Sequence, residues 1–246
     1  MPRPDPTPGG PVLVAVAHGS RDARSAATIR ALVSRIPGAI ASFLDLSEPL
    51  FGDVLRALHA EGHREAVVVP LLLGSAYHAR TDLPALVAQS PRGLDVSIAD
   101  VLGGDPVLEE VAMDRLVATG ADLADPSSGV VVAAVRSSFA PANGAVARMA
   151  RRWRTRHGFL AAPAFVGGRP SPDAPDLPAA IARLRARGAR RIVVSSWFLA
   201  PGLLPDRVAE LAGDAPVAAP LGPDPRVADL IVRRYRENLA TAARTA

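Results

Sequence analysis

The chain has 246 residues, roughly 1.6 times the ~150 of an average domain, so one large domain or two small ones fit. Apolar residues make up 49% and charged residues 21%, a composition for a packed protein rather than a disordered one. The net charge is +4, every basic residue is arginine, and there is no cysteine, which excludes disulfides, thiolate metal ligands, iron–sulfur clusters and cysteine nucleophiles.

The proline-rich start, residues 1–11, reads as a flexible tail without an apolar signal core. The longest largely apolar run, Ala66 to Ala76, is too short for a bilayer. A cytoplasmic protein with no membrane partner is expected. Nucleic acid is not an expected partner either: the arginines are scattered. The densest group, Arg151, Arg152, Arg154 and Arg156 around Trp153, reads as a solvated helix face.

From there strands and helices alternate. Val12–Ala17 is an apolar strand, Asp22–Arg35 a helix, Ala39–Leu44 a strand, and Pro49–Ala60 a helix that Gly62 ends. Ala66–Leu73 is a continuous apolar run, a strand buried on both faces. Leu83–Ala88 is helical, Leu94–Ile98 a strand and Pro106–Thr119 a helix. Gly120–Gly129 has linker composition.

Then the rhythm restarts. Val130–Val135 is a strand, Ala142–His157 a helix, Leu160–Val166 a strand, Asp176–Arg187 a helix and Arg191–Trp197 a strand. Pro205–Ala212 is helical, Val217–Ala219 a short strand, and Val227–Thr241 the closing helix. Residues 62–73 (GHREAVVVPLLL) align without gaps on residues 188–199 (GARRIVVSSWFL). The expected fold is α/β: two tandem parallel-sheet lobes of flavodoxin-like type from an internal duplication. The expected divisions are a first lobe over 12–120, a linker over 121–129 and a second lobe over 130–246.

Three groups suited to metal or proton transfer follow three successive strands of the first half. His18 comes directly after the first strand, Asp45 after the second and His78 after the third. The C-terminal edge of a parallel sheet is where ligands bind. Two histidines and a carboxylate suit a divalent first-row metal with open positions. The alternative is three ordinary hydrogen-bonding loop residues, and spacing alone leaves both open. His59 and His63 flank a helix end and read as exposed; His157 suits the end of a basic helix. Other motifs fail on detail. A histidine phosphatase needs arginine before its His-Gly, where Ala17 stands; Ser20 lacks a Gly-x-Ser-x-Gly frame; no phosphate-binding glycine loop follows a strand.

The first half resembles the sirohydrochlorin chelatases, the class II chelatases of siroheme and cobalamin synthesis. The resemblance runs through His18-Gly19-Ser20-Arg21, Phe43-Leu44-Asp45-Leu46-Ser47-Glu48-Pro49, Val68-Val69-Pro70-Leu71-Leu72-Leu73, His78 and Asp82-Leu83-Pro84. It implies ATP-independent insertion of a divalent metal into sirohydrochlorin, with Fe²⁺ expected ahead of Co²⁺. It implies no prosthetic group, and two lobes around a cleft within one monomeric chain. His18 and His78 match the metal-handling histidines. Asp45 stands where the family usually has the longer glutamate, so it reaches the metal directly or through water. Ser20 and Arg21 fall at substrate-binding positions.

The chemistry suits these residue types. Insertion removes two N–H protons and takes up a partly desolvated metal; imidazole can bind the metal or accept a proton near neutral pH. Arginine suits a substrate carrying about eight carboxylates. In the second half, Arg136 is set against His18, Gly167 against Asp45 and Leu204 against His78. One active centre per chain is therefore expected. Arg136 is expected to bind a substrate carboxylate or to be a plain strand-end arginine. A non-catalytic metal or tetrapyrrole carrier on the same scaffold stays open, as does an α/β ligand-binding domain without metal chemistry.

Overall fold

The structure, a computed structural model, describes residues 10–74, 83–168, 171 and 173–245. His78 lies outside the described residues. Two parallel sheets are present, each in its own compact unit.

The first unit comprises residues 1–107 and 223–246. Its sheet has the order β2-β1-β3-β4, from β1 (Val12–Ala17), β2 (Ile40–Phe43), β3 (Glu65–Pro70) and β4 (Asp95–Ile98). His18 thus follows the strand between β2 and β3, as a 2-1-3 order requires. Around the sheet lie α1 (Ala23–Val33), α2 (Phe51–Ala60) and α3 (Leu83–Val87). One core joins Val14, Val16, Ala66 and Val68 to Phe51, Val54, Leu55 and Leu58 of α2. Successive strand residues face opposite sides, so the equally buried Leu13, Ala15, Val67 and Val69 belong to the other face. A strand buried on both faces reads as the continuous apolar run seen in the sequence.

The second unit comprises residues 108–222. β5 (Ser128–Val135) lies between β6 (Leu160–Val166) and β7 (Arg191–Ser196). Its helices include α4 (Pro106–Val117, from Leu108 onward), α5 (Ala140–His157), α6 (Leu177–Ala186) and α7 (Leu203–Ala212). The expected strand at Val217–Ala219 is reduced to a single bridge, Val217 to Val194.

The compact units do not share the boundaries of the sequence repeats, because the closing helix of each half packs with the other half. α8 (Pro225–Thr245) belongs to the first unit. Its Tyr235 hydroxyl donates to Pro11 O at 2.6 Å, and Asn238 bonds Ser97 and Ile98 O of β4 at 2.7 and 3.1 Å. Arg233 and Arg234 both reach Asp105. α4 makes its contacts in the second unit. Glu109 accepts from the buried Trp153 indole at 2.7 Å and pairs with Arg152, while Arg115 donates to Leu221 O at 3.0 Å. Among the described residues no helix is long and apolar enough to cross a membrane.

Hydrogen-bond register corrects one alignment. The N–H of Leu71 donates to Val16 O, and that of its repeat equivalent Trp197 donates to Ala133 O, both at 2.8 Å. Val12 pairs with Ala66 as Gly129 pairs with Ile192. Val16 therefore matches Ala133, and the counterpart of His18 is Val135, not Arg136. Arg136 matches Gly19. β5 extends one residue beyond β1 at each end, so matching the two strand ends sets Arg136 one residue too far along. Gly167 remains opposite Asp45: Phe43 N–H donates to Pro49 O and Phe165 N–H to Pro175 O, at 3.0 and 2.9 Å.

Candidate functional site

Two loops at the C-terminal edge of the first sheet are fastened together. Ala17 O accepts from Leu44 N–H at 2.9 Å, and His18 O accepts from Asp45 N–H at 3.0 Å. These bonds carry the β1–β2 pairing one residue beyond each strand, so His18 and Asp45 leave the sheet side by side. Gly19 is at φ +100°, and a Cβ there would lie 1.7 Å from Asp45 O. Only glycine permits that approach.

Ser47 and Ser20 close the second contact. Ser47 Oγ accepts from Ser20 N–H at 3.0 Å and donates to Ser20 O at 2.9 Å. Ser47 N–H also donates to Asp45 O at 2.7 Å, tightening the turn around Leu46, which sits at φ +58°. On the far side Arg30 of α1 donates to Glu48 O and lies over the Phe43 ring at 5.6 Å. The 44–50 loop is thereby held from two directions. His18 and Asp45 are both exposed at this edge.

Ser20 serves the loop as well: its Oγ accepts from Asp22 N–H at 3.1 Å. Asp22 caps α1 through Arg24 N–H at 2.9 Å and also receives the Arg24 guanidinium. That side-chain bond leads the causes holding the Asp22 carboxyl below its ordinary value, followed by the backbone bond. Arg21 is exposed. Sequence reasoning missed Ser47 and Gly19 as fasteners; the only signal was glycine directly after His18. The chain leaving β3 is positioned too: a Cβ on Gly103 would lie 2.3 Å from Leu73 O, and Gly103 N–H donates to Leu72 O at 3.0 Å. That is the last described stretch before His78.

Arg136 is engaged by three backbone carbonyls. Its Nε donates to Gly167 O at 2.8 Å, Nη2 to Phe165 O at 3.2 Å and Nη1 to Ala174 O. The guanidinium also lies over the Phe165 ring at 5.9 Å. It ties the end of β6 to the segment returning toward α6.

The other histidines do not join the site. His63 Nε2 is 3.8 Å from Glu61 at the exposed end of α2, and His157 stacks on Phe159 at 5.5 Å. Trp153 is 2% exposed, so it offers no ring to a nucleic-acid base. Among the described residues no group of three histidine or acidic side chains is gathered as a metal site.

A pair of parallel-sheet units, the first with a histidine and a carboxylate on fastened loops at its C-terminal strand edge, defines a duplicated α/β scaffold. The chain belongs to the CbiX family: the family model CbiX matches it twice, over residues 12–119 and 130–238. It is similar to a sirohydrochlorin cobaltochelatase of Saccharolobus solfataricus, 34% identical over 83 residues, 30% of this chain and 65% of that protein. It is 23% identical over 175 residues to a sirohydrochlorin cobaltochelatase of Priestia megaterium, covering 69% of this chain and 56% of that one. The chain thus spans just under two thirds of the first relative and over half of the second. In fold it matches SirB from Bacillus subtilis with Fe³⁺, with a TM-score of 0.75 at 22% identity over 94% of this chain and 96% of that one.

Proposed function

We propose that this protein is a sirohydrochlorin chelatase, inserting Fe²⁺ or Co²⁺ into the metal-free macrocycle at the loop edge of the first unit. The observation that carries the reading is the fastening of His18 beside Asp45 through Gly19 and Ser47. Two potential ligands on neighbouring strand ends are held in a fixed register, at the edge where parallel sheets bind ligands.

His78 is the third group of this reading. The second unit supports it, because the counterparts there converge: a Cβ on Gly167, opposite Asp45, would lie 3.9 Å from Leu204 Cδ2, opposite His78. Gly167 directly follows β6, whose last residue Val166 pairs with Val135, opposite His18.

In this mechanism His18 and His78 take the partly hydrated metal as neutral imidazoles. Nitrogen ligands without thiolate hold it loosely enough to release it. The bonds from the histidines to the metal break as the metal binds the four nitrogens of the macrocycle, which gives up its two N–H protons. The freed imidazoles accept those protons, and Asp45 passes them on to water. Asp45 is exposed, which suits export to solvent. Fe²⁺ is the favoured metal and Co²⁺ the alternative. The reading carries with it an ATP-independent, cytoplasmic, monomeric enzyme without a prosthetic group, with siroheme or cobalamin as the end product. Ser20 supports the loop by its bonds, and the exposed Arg21 is a candidate for a substrate carboxylate.

The test is anaerobic mixing of the protein with sirohydrochlorin and either metal, followed by absorbance. Many turnovers per chain are expected. A spectral change that stops at one equivalent would move the reading to a metal or tetrapyrrole carrier.

A further inference from the structure

Asp100 stands at the same C-terminal edge of the first sheet as His18 and Asp45. Ala99 N–H donates to Val68 O at 2.8 Å, which carries the β3–β4 ladder one residue beyond β4. Asp100 is the next residue, and it is exposed. The loop it opens is fastened in the manner of the His18 loop: Gly103 meets Leu73 O as Gly19 meets Asp45 O, each without room for a Cβ. Val14, Val16, Val96 and Ile98 pack on one core, so the rows that run toward His18 and Asp100 share one face of the sheet. Two strand spacings separate those rows, about 10 Å.

The sequence repeat separates what this loop needs for folding from what it does not. Ala218 N–H donates to Val194 O at 2.8 Å, the counterpart of the Ala99 bond, so Ala219 stands opposite Asp100. The scaffold around this position is kept. Leu102 and Leu221 are both buried, and glycine follows each. Asp105 and Asp224 also correspond, and both serve the fold. Each accepts from the backbone N–H two residues on, Val107 at 3.2 Å and Arg226 at 3.0 Å, and each pairs with an arginine. An aspartate with a structural task is thus present in both repeats. Asp100 is present only beside His18 and Asp45, and is absent where Val135 and Gly167 replace them.

We propose that Asp100 recruits the metal substrate, its carboxylate drawing the hydrated divalent cation to the edge from which His18 takes it. The inference rests on the chelatase reading and adds a residue to the set that handles the metal. Charge decides between the two substrates. Sirohydrochlorin is a polycarboxylate, which an aspartate at this edge repels, so the contribution of Asp100 lies with the cation. At about 10 Å it acts within roughly one Debye length of a cation at His18.

The test measures Co²⁺ insertion and, separately, equilibrium Co²⁺ binding by calorimetry, on the full chain as wild type, Asp100→Asn and Asp100→Glu. Asparagine keeps the size of the side chain and removes its charge. In Asp100→Asn the KM and the Kd for Co²⁺ should both rise about fourfold at low salt, the Coulomb effect of one charge on a divalent ion ~10 Å away in water. The turnover number and the affinity for metal-free sirohydrochlorin should hold. High salt should close the gap, and Asp100→Glu should match wild type.

A Co²⁺ KM and Kd equal to wild type in Asp100→Asn would overturn the proposal while leaving the chelatase reading intact. A lower turnover number with unchanged KM would make Asp100 a proton acceptor and overturn recruitment. A lower melting temperature and a higher KM in both variants would return Asp100 to the fold. A wild-type protein that binds Co²⁺ but never inserts it would overturn the chelatase reading, and the calorimetric comparison alone would then decide recruitment.

Discussion

Gly19 and the carbonyl of Asp45 touch without room for a side chain: a Cβ would stand 1.7 Å from that oxygen. The backbone bond from Asp45 N–H to His18 O sits one residue away. The candidate ligands are therefore positioned through main-chain contact as well as by their own side chains. Gly19→Ala must displace the Asp45 turn and adopt a strained φ. It should cost about 1–3 kcal/mol of stability and reduce turnover more than tenfold. Chemical denaturation and the chelation assay, run on one preparation, check both.

Ser47 bridges Ser20 from both its donor and acceptor sides. Ser47→Ala removes both bonds and should destabilise by about 1–2 kcal/mol. Turnover should fall with little change in the far-ultraviolet spectrum, because the loss is confined to two loops. Ser47→Thr keeps the hydroxyl and should recover most of the rate.

Glu109 holds the buried Trp153 indole and the Arg152 guanidinium in the second unit. Glu109→Leu strands a buried N–H and should cost about 1–3 kcal/mol. Glu109→Gln keeps an acceptor for Trp153 and should cost less. Thermal unfolding of the two variants gives the comparison.

His157 stacks on Phe159, and burial, followed by the nearby Arg156 charge, lowers its pKa from the ordinary 6.5. The unfolded chain thus takes up the proton more readily than the folded one. The stabilisation is present above about pH 6.5 and is lost as pH falls through the lowered folded value. His157→Phe should flatten this acid-side decline while leaving stability above pH 7 nearly unchanged. Melting temperature measured from pH 5 to 8 tests it.

Much of the scaffold is legible in the sequence. Val12–Ala17 and Leu160–Val166 coincide with strands, because apolar runs of that length bounded by turn residues have few other fates. The exchange of closing helices is not legible, since the apolar stripes of α4 and α8 do not say which sheet they cover. Nor is the position of Val135 opposite His18: strand register depends on hydrogen bonds across β5 and β7, not on where a run of valines begins. The backbone bonding of Arg136 is not legible for a similar reason. Its partners are carbonyls of Phe165, Gly167 and Ala174, and backbone acceptors leave no trace in side-chain identity.

The central claim is that metal insertion runs through the histidines of the first unit. It is tested most directly by the anaerobic rate of Co²⁺ and Fe²⁺ insertion in wild type, His18→Ala and His78→Ala. The account predicts multiple turnovers for wild type, with at least a hundredfold loss in each variant and sirohydrochlorin binding retained. Variants as fast as wild type would contradict it.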